Sequence, residues 1–132
     1  MQIKKIDVSI ITPSKNMLHY LKSCAASIAD QENVRYEHIV VDGQSKDGTA
    51  DWLEGQSNLC FVSEPDKGMY DAINKGLKIA KGNILAYLNC DEQYLPRTLQ
   101  YVIDYFNKYP DIDFIYGDTL VINTSGGIVA FK

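Results

Sequence analysis

The sequence predicts an α/β fold in which helices sandwich a mostly parallel sheet, on three observations. Four short apolar, β-branched runs at residues 8–12, 36–41, 59–63 and 84–88 have the length and composition of buried strands. Segments with apolar residues at helical spacing follow them. Each run also stops abruptly in polar or charged residues. Strand and helix alternating four times imply a parallel sheet with helices on both faces. Such a sheet gathers its strand ends on one edge, where open α/β folds bind their ligands.

The elements follow in order. Residues 8–12 form the first strand, and Pro13-Ser14 breaks it. Asn16 can cap the next helix, whose core face is Leu18, Leu21, Ala25 and Ile28 with Cys24 beside it. Residues 36–41 form a second strand, which ends in Asp42-Gly43-Gln44-Ser45-Lys46-Asp47-Gly48-Thr49, a stretch whose Asx and Gly residues demand tight turning. Asp47 or Thr49 can cap a short helix through Trp52 and Leu53, stopped by Gly55. The third strand, 59–63, breaks at Glu64-Pro65-Asp66-Lys67-Gly68. Met69, Ala72, Ile73, Gly76, Leu77 and Ala80 then repeat at helical spacing, and Gly82 closes that helix. Asp71, Asn74 and Lys78 share its polar face, so a ligand at the Asp66-Lys67 loop can reach Asn74. The fourth strand, 84–88, leads into Leu88-Asn89-Cys90-Asp91-Glu92. Pro96 opens a helix with core face Leu99, Val102, Ile103 and Phe106. Residues 114–116, 119–122 and 128–131 are expected as strands of an antiparallel tail, with Ser125-Gly126-Gly127 as a turn.

Composition bounds the function. The 132 residues predict one domain, and 45% apolar content supplies a core. A formal charge of -4 without a basic block argues against nucleic acid as a partner. Cys24, Cys60 and Cys90 are odd in number and far apart, which predicts reduced thiols and a cytoplasmic setting. Lys4 and Lys5 precede an apolar run too short for a signal-peptide core. The final run, 128–131, stops one residue before the chain does, so the domain is expected to be truncated at its C-terminal end.

Four strand ends bring Thr12 and Pro13, Asp42, residues 64–67 and residues 89–92 to one edge. No Gly-x-Gly-x-x-Gly follows the first strand and no Walker-type Gly-Lys-Ser/Thr occurs, which disfavours a dehydrogenase or P-loop enzyme.

On these residues the chain resembles the inverting glycosyltransferases of family 2. The matching pieces are Ile10-Ile11-Thr12-Pro13 with Asn16, Val40-Val41-Asp42-Gly43-Gln44-Ser45 with Asp47-Gly48-Thr49, Asn74-Lys75-Gly76 with Ala80-Lys81-Gly82, and Leu88-Asn89-Cys90-Asp91-Glu92. They occur in family order across nearly the whole chain. Ser63-Glu64-Pro65-Asp66-Lys67-Gly68 with Tyr70-Asp71-Ala72 is similar to a bacterial subgroup associated with polysaccharide and lipopolysaccharide assembly. The resemblance implies the GT-A fold, a Rossmann-like nucleotide-diphospho-sugar transferase α/β/α sandwich. It implies that Thr12, Pro13 and Asp42 meet the nucleotide base, that Asp66 and Lys67 lie near the nucleotide with Asn16 and Asn74 in the same binding set, and that Asp91 belongs to an Asp-x-Asp metal motif. The chain departs from the family at Gly43-Gln44, where a second Asp and Gly are frequent, at Ile73, where many members have Arg, and at Asn89, which replaces the first Asp of the motif.

The implied chemistry is transfer of a sugar from a nucleoside-diphosphate sugar, a UDP-sugar favoured, to a hydroxyl of a saccharide or lipid-linked saccharide acceptor. The departing diphosphate gains negative charge, which a divalent cation, Mg or Mn, neutralises with Asp91 and Glu92 as protein ligands. Neither His19 nor His38 sits with other ligands, so zinc has no support. An inverting transfer needs a general base. In the family it lies well after the Asp-x-Asp motif, and Asp111, Asp113 and Asp118 match no pattern for it, so the base is expected to be absent. The setting is cytoplasmic, and a lipid-linked acceptor would bring the full-length protein to the inner face of the membrane. The alternative is a nucleotide-binding module without transfer activity, in which the acidic turn is structural.

Overall fold

The structure, a computed structural model, describes residues 5–132; Lys4 lies outside them. The elements run β1 (Val8–Ser14), α1 (Leu18–Ala29), β2 (Tyr36–Asp42), α2 (Thr49–Glu54), β3 (Cys60–Ser63), α3 (Met69–Ile79), β4 (Ile84–Tyr87), α4 (Thr98–Lys108), β5 (Leu120–Ile122) and β6 (Ile128–Phe131). The first four strands form a parallel sheet in the order β3-β2-β1-β4, and β5 and β6 form a separate antiparallel hairpin. The segment at 114–116, expected as a strand, is not one. Phe114 and Tyr116 are 78% and 86% exposed, so the face they share has no packing partner, and β propensity without one does not make a strand.

Side chains alternate across the sheet and divide the core in two. Val8 and Ile10 of β1 pack with Cys24 and Ile28 of α1 and Leu99 of α4, while Val40 of β2 meets Leu21 of α1 and Leu53 of α2. The opposite pleat positions, Ile39 and Val41, pack with Ala72 of α3. Helices therefore cover both faces, three on one side and α3 on the other. Only Ala72 and Gly76 of the apolar stripe on α3 are buried, and Met69 and Leu77 remain 42% and 38% exposed. A lone helix on a four-stranded sheet buries only the narrow line that touches the strands. Gly76 forms that line, because a Cβ there would stand 2.5 Å from Ile11 Cγ2.

β1 continues through Pro13 to Ser14 instead of breaking at the proline. The backbone of Ile11 faces β4, its carbonyl accepting from Leu88 N–H at 3.0 Å, and that of Ser14 faces β2, its carbonyl accepting from Gly43 N–H at 2.9 Å. Alternation turns Pro13 toward β4, whose ladder has already ended at Tyr87, so the missing N–H leaves no bond unmade. Gly82 does not close α3, which ends at Ile79 with Ala80 extended. It lets the turn pass over β1, since a Cβ there would be 2.6 Å from Ser9 N.

Asn16 is not the cap of α1. Its amide oxygen accepts from Lys46 N–H at 2.8 Å, and the first N–H of the helix, at Leu18, donates to Asp47 Oδ2 at 2.9 Å. Asp47 Oδ1 meanwhile accepts from Thr49 N–H at the start of α2, so one carboxylate serves two helix starts. Its pKa is lowered by the Thr49 hydroxyl and by the Leu18 amide.

Candidate functional site

The parallel order sets the ends of β3, β2, β1 and β4 side by side, and the candidate site is built there. Asp42 is fully buried at the end of β2. Its carboxylate accepts hydrogen bonds from the Ser63 hydroxyl at 2.7 Å, from Ser45 N–H at 3.1 Å and from the Ser45 hydroxyl. Burial of a carboxylate demands such partners. Asp42 thus ties the loop after β2 to the end of β3 and lies beneath the cleft. Thr12 is likewise buried, its hydroxyl 2.9 Å from His38 Nε2, so only its backbone reaches the edge. Burial lowers the His38 pKa to about 4, which keeps the ring neutral.

The loop between β3 and α3 is latched by charge. Lys75 Nζ lies 3.1 Å from Glu64 and 3.4 Å from Asp71, and donates to the Pro65 carbonyl at 2.8 Å. Asp71 accepts from Lys67 N–H at 2.9 Å, and Asp66 from Gly68 N–H at 3.0 Å. The latch presses Asp66 onto Gly43, where a Cβ would come within 2.7 Å of the carboxylate. The glycine at 43 therefore makes room for Asp66. Asn74 and Lys67 are exposed, and neither is among the residues that line the cleft.

The acidic turn has unequal members. Glu92 folds back, its carboxylate accepting Asn89 N–H at 3.0 Å, and the Asn89 amide oxygen accepts from Tyr87 hydroxyl at 2.7 Å. Asp91 is exposed and carries no hydrogen bond or ion pair among the described residues. Those residues also hold no group of three or more His, Cys, Asp or Glu placed to bind a metal ion. One free carboxylate fits a Mg or Mn ion that takes most of its oxygens from a diphosphate, and does not fit an all-protein cage.

The ends of β1, β3 and β4 surround an open cleft of about 390 Å³, lined by Pro13, Ser14 and Lys15 in the middle, Asp66 and Gly68 on one side, and Asn89, Cys90 and Asp91 on the other. Met17, Met69 and Ala72 complete it. Of the residues expected in the site, Pro13, Asp66 and Asp91 line the cleft. Thr12 and Asp42 are buried at the ends of their strands, and Asn16, Lys67, Asn74 and Glu92 are not among the residues that line it. Sequence reasoning missed Ser14, Lys15 and the latch through Lys75. The signal for Ser14 and Lys15 was their place at the end of the central strand. Ser14 is 4% exposed and its hydroxyl has no hydrogen-bond partner, a state that costs about 1–3 kcal/mol.

A parallel sheet in this order, with carboxylates at its carboxyl edge, is a Rossmann-like arrangement, and the comparisons place it in the GT-A class of nucleotide-sugar transferases. The Glycosyl transferase family 2 profile matches residues 9–127, and the chain belongs to that family. It is 34% identical over 124 residues to a PGL/p-HBAD biosynthesis glycosyltransferase of Mycobacterium bovis, covering 89% of this chain and 48% of the relative. It is 32% identical over 103 residues to TuaG of Bacillus subtilis, a glycosyltransferase whose name points to teichuronic acid biosynthesis, covering 74% of this chain and 41% of that one. The mannosyltransferase PcManGT from Pyrobaculum calidifontis, solved in complex with GDP-Man and Mn2+, superposes with a TM-score of 0.70 at 25% identity, covering 91% of this chain and 36% of that one. The chain thus spans about half the length of these relatives or less.

Proposed function

We propose that this chain is the donor-binding part of a glycosyltransferase that moves a sugar from a nucleoside-diphosphate sugar, a UDP-sugar favoured, to an acceptor hydroxyl in bacterial surface polysaccharide or lipopolysaccharide synthesis. The observation that supports this reading is a cleft at the carboxyl edge of the four-stranded parallel sheet, lined from the ends of β1, β3 and β4, with a single free carboxylate, Asp91. The names of the relatives and the ligands of the archaeal mannosyltransferase support it.

Each residue has a part. Pro13 and Asp66 form the floor and wall at the base end, with Asp42 holding that wall in place. Asp91 offers its carboxylate at the other end to a Mg or Mn ion that arrives with the diphosphate. Glu92 stabilises the turn that presents Asp91. The cation, when bound, supplies Lewis-acid neutralisation of the charge that grows on the departing diphosphate. Asp66 and Asp91, the two carboxylates lining the cleft, are both engaged on the donor side, so the general base is supplied from elsewhere. The acceptor is a saccharide or a lipid-linked saccharide. Cys24, Cys60 and Cys90 are free, which supports a cytoplasmic site of action, at the inner membrane face where the acceptor is lipid-linked.

Thermal unfolding with a panel of UDP- and GDP-sugars, with Mn or with chelator, tests the proposal. A ligand at 100 times its dissociation constant stabilises the fold by about 2.7 kcal/mol. Stabilisation is expected to be larger with Mn, and Asp91→Asn is expected to abolish the difference between Mn and chelator. Equal stabilisation in both conditions by the unaltered chain would favour a nucleotide-binding module without transfer activity.

A further inference from the structure

We infer that the Ser14 hydroxyl is a ribose contact and makes this chain select ribonucleotides over their deoxy forms; this rests on the nucleotide-sugar reading above. Ser14 lines the cleft, and its hydroxyl is buried without a hydrogen-bond partner. The Cys90 thiol is a polar neighbour, but a thiol is a weak partner. Buried polar groups in folded proteins are satisfied as a rule, so an orphan on a cleft wall marks a place where a ligand completes the bonding. Serine has one side-chain torsion, so a single rotamer change is all that ligand binding asks of Ser14.

The strand order says which part of the ligand lies there. β1 runs between β2 and β4, and Ser14 pairs in register with Asp42. On one side of Ser14 stand Asp66 and Gly68, and on the other Asn89, Cys90 and Asp91. A nucleoside diphosphate is linear, with the base at one end, the diphosphate at the other and the ribose between. With the base toward Asp66 and the diphosphate toward Asp91, the ribose rests over the end of β1. Its hydroxyls both donate and accept, which suits a serine hydroxyl. They are also neutral, which suits a cleft flanked by two carboxylates.

The test is calorimetric titration of the chain, in Mn, with whichever of UDP and GDP it binds more tightly and with the 2′-deoxy and 3′-deoxy forms of that nucleotide. The unaltered chain is expected to bind one deoxy form about tenfold more weakly, because the serine is then left unpaired. Ser14→Ala is expected to bind the parent nucleotide about tenfold more weakly and all three forms alike. The variant should melt, without ligand, at a temperature no lower than the unaltered chain, since it loses only an unpaired hydroxyl. A variant that still discriminates as the original does would overturn the inference alone, as would a variant that melts lower with its selectivity unchanged. Failure of the unaltered chain to bind either nucleotide would overturn the underlying reading as well.

Discussion

His38 shows how a single buried residue sets a pH limit on this fold. Its ring bonds to the Thr12 hydroxyl between β2 and β1, and burial lowers its pKa from 6.5 to about 4. Above pH 6.5 the ring is neutral in both the folded and unfolded chains, and the stability is complete. As pH falls below 6.5 the unfolded chain takes up a proton that the folded chain refuses, so stability declines until about pH 4 and changes no further through this group. The loss is on the order of 3 kcal/mol. Asp47 and Asp71, whose pKa values are lowered from 3.8 by hydrogen bonds to Thr49 and to the Lys67 amide, lose their contributions only at lower pH. Urea unfolding between pH 7 and 4.5 is expected to show a falling midpoint in the unaltered chain and a much flatter one in His38→Gln, whose amide can keep the bond to Thr12. An equal slope in both would place the proton uptake elsewhere.

At the scale of elements, α3 is the part whose position the site depends on. It is the one helix on its face of the sheet among the described residues, and it carries Asp71 and Lys75, the anchors that fasten the Asp66 loop through Lys67, Glu64 and Pro65. Gly76→Ala tests that dependence. Alanine raises helix propensity by about 1 kcal/mol, but its methyl would meet Ile11 at 2.5 Å from Cγ2 and 2.9 Å from Cγ1. Ile11 is fully buried in the central strand and has no room to retreat. Overpacking of this kind costs about 1–3 kcal/mol, so the clash outweighs the propensity. Gly76→Ala is expected to lower the denaturant midpoint and to weaken nucleotide binding as the latch shifts. Gly117→Ala, with nothing within 4 Å of the new methyl, is the control and should change neither.

For the whole molecule, donor binding and sugar transfer are expected to separate. Every residue proposed for the nucleotide precedes Gln93, and both carboxylates that line the cleft, Asp66 and Asp91, are proposed for the donor side. Loss of a general base slows transfer by about 10²- to 10⁴-fold. The chain should therefore bind donor, release its sugar slowly to water, and glycosylate an acceptor poorly. Measuring free sugar and glycosylated acceptor in one reaction decides the point. A product stream dominated by glycosylated acceptor would mean that these residues hold the base, with exposed Asp118 the first to be replaced.

Much of this protein was legible in its sequence because the informative signals are local. The period of apolar residues distinguished the four parallel strands from the helices between them, and each polar break marked a carboxyl end, so the edge carrying Pro13, Asp42, Asp66 and Asp91 followed from order alone. Periodicity, however, reports an apolar face and not whether a neighbour covers it. For that reason the spacing alone does not tell that Met69 and Leu77 of the α3 stripe stay exposed, or that residues 114–116 form no strand. Hydrogen-bond partners distant in sequence were equally out of reach. Only the folded chain brings Asp47 to the start of α1, Ser63 to Asp42, and Tyr87 and Glu92 to Asn89. These contacts decide which carboxylates are consumed in holding loops and which one, Asp91, remains free at the cleft. A carboxylate looks the same in sequence whether paired or free, and only three-dimensional packing assigns its partners.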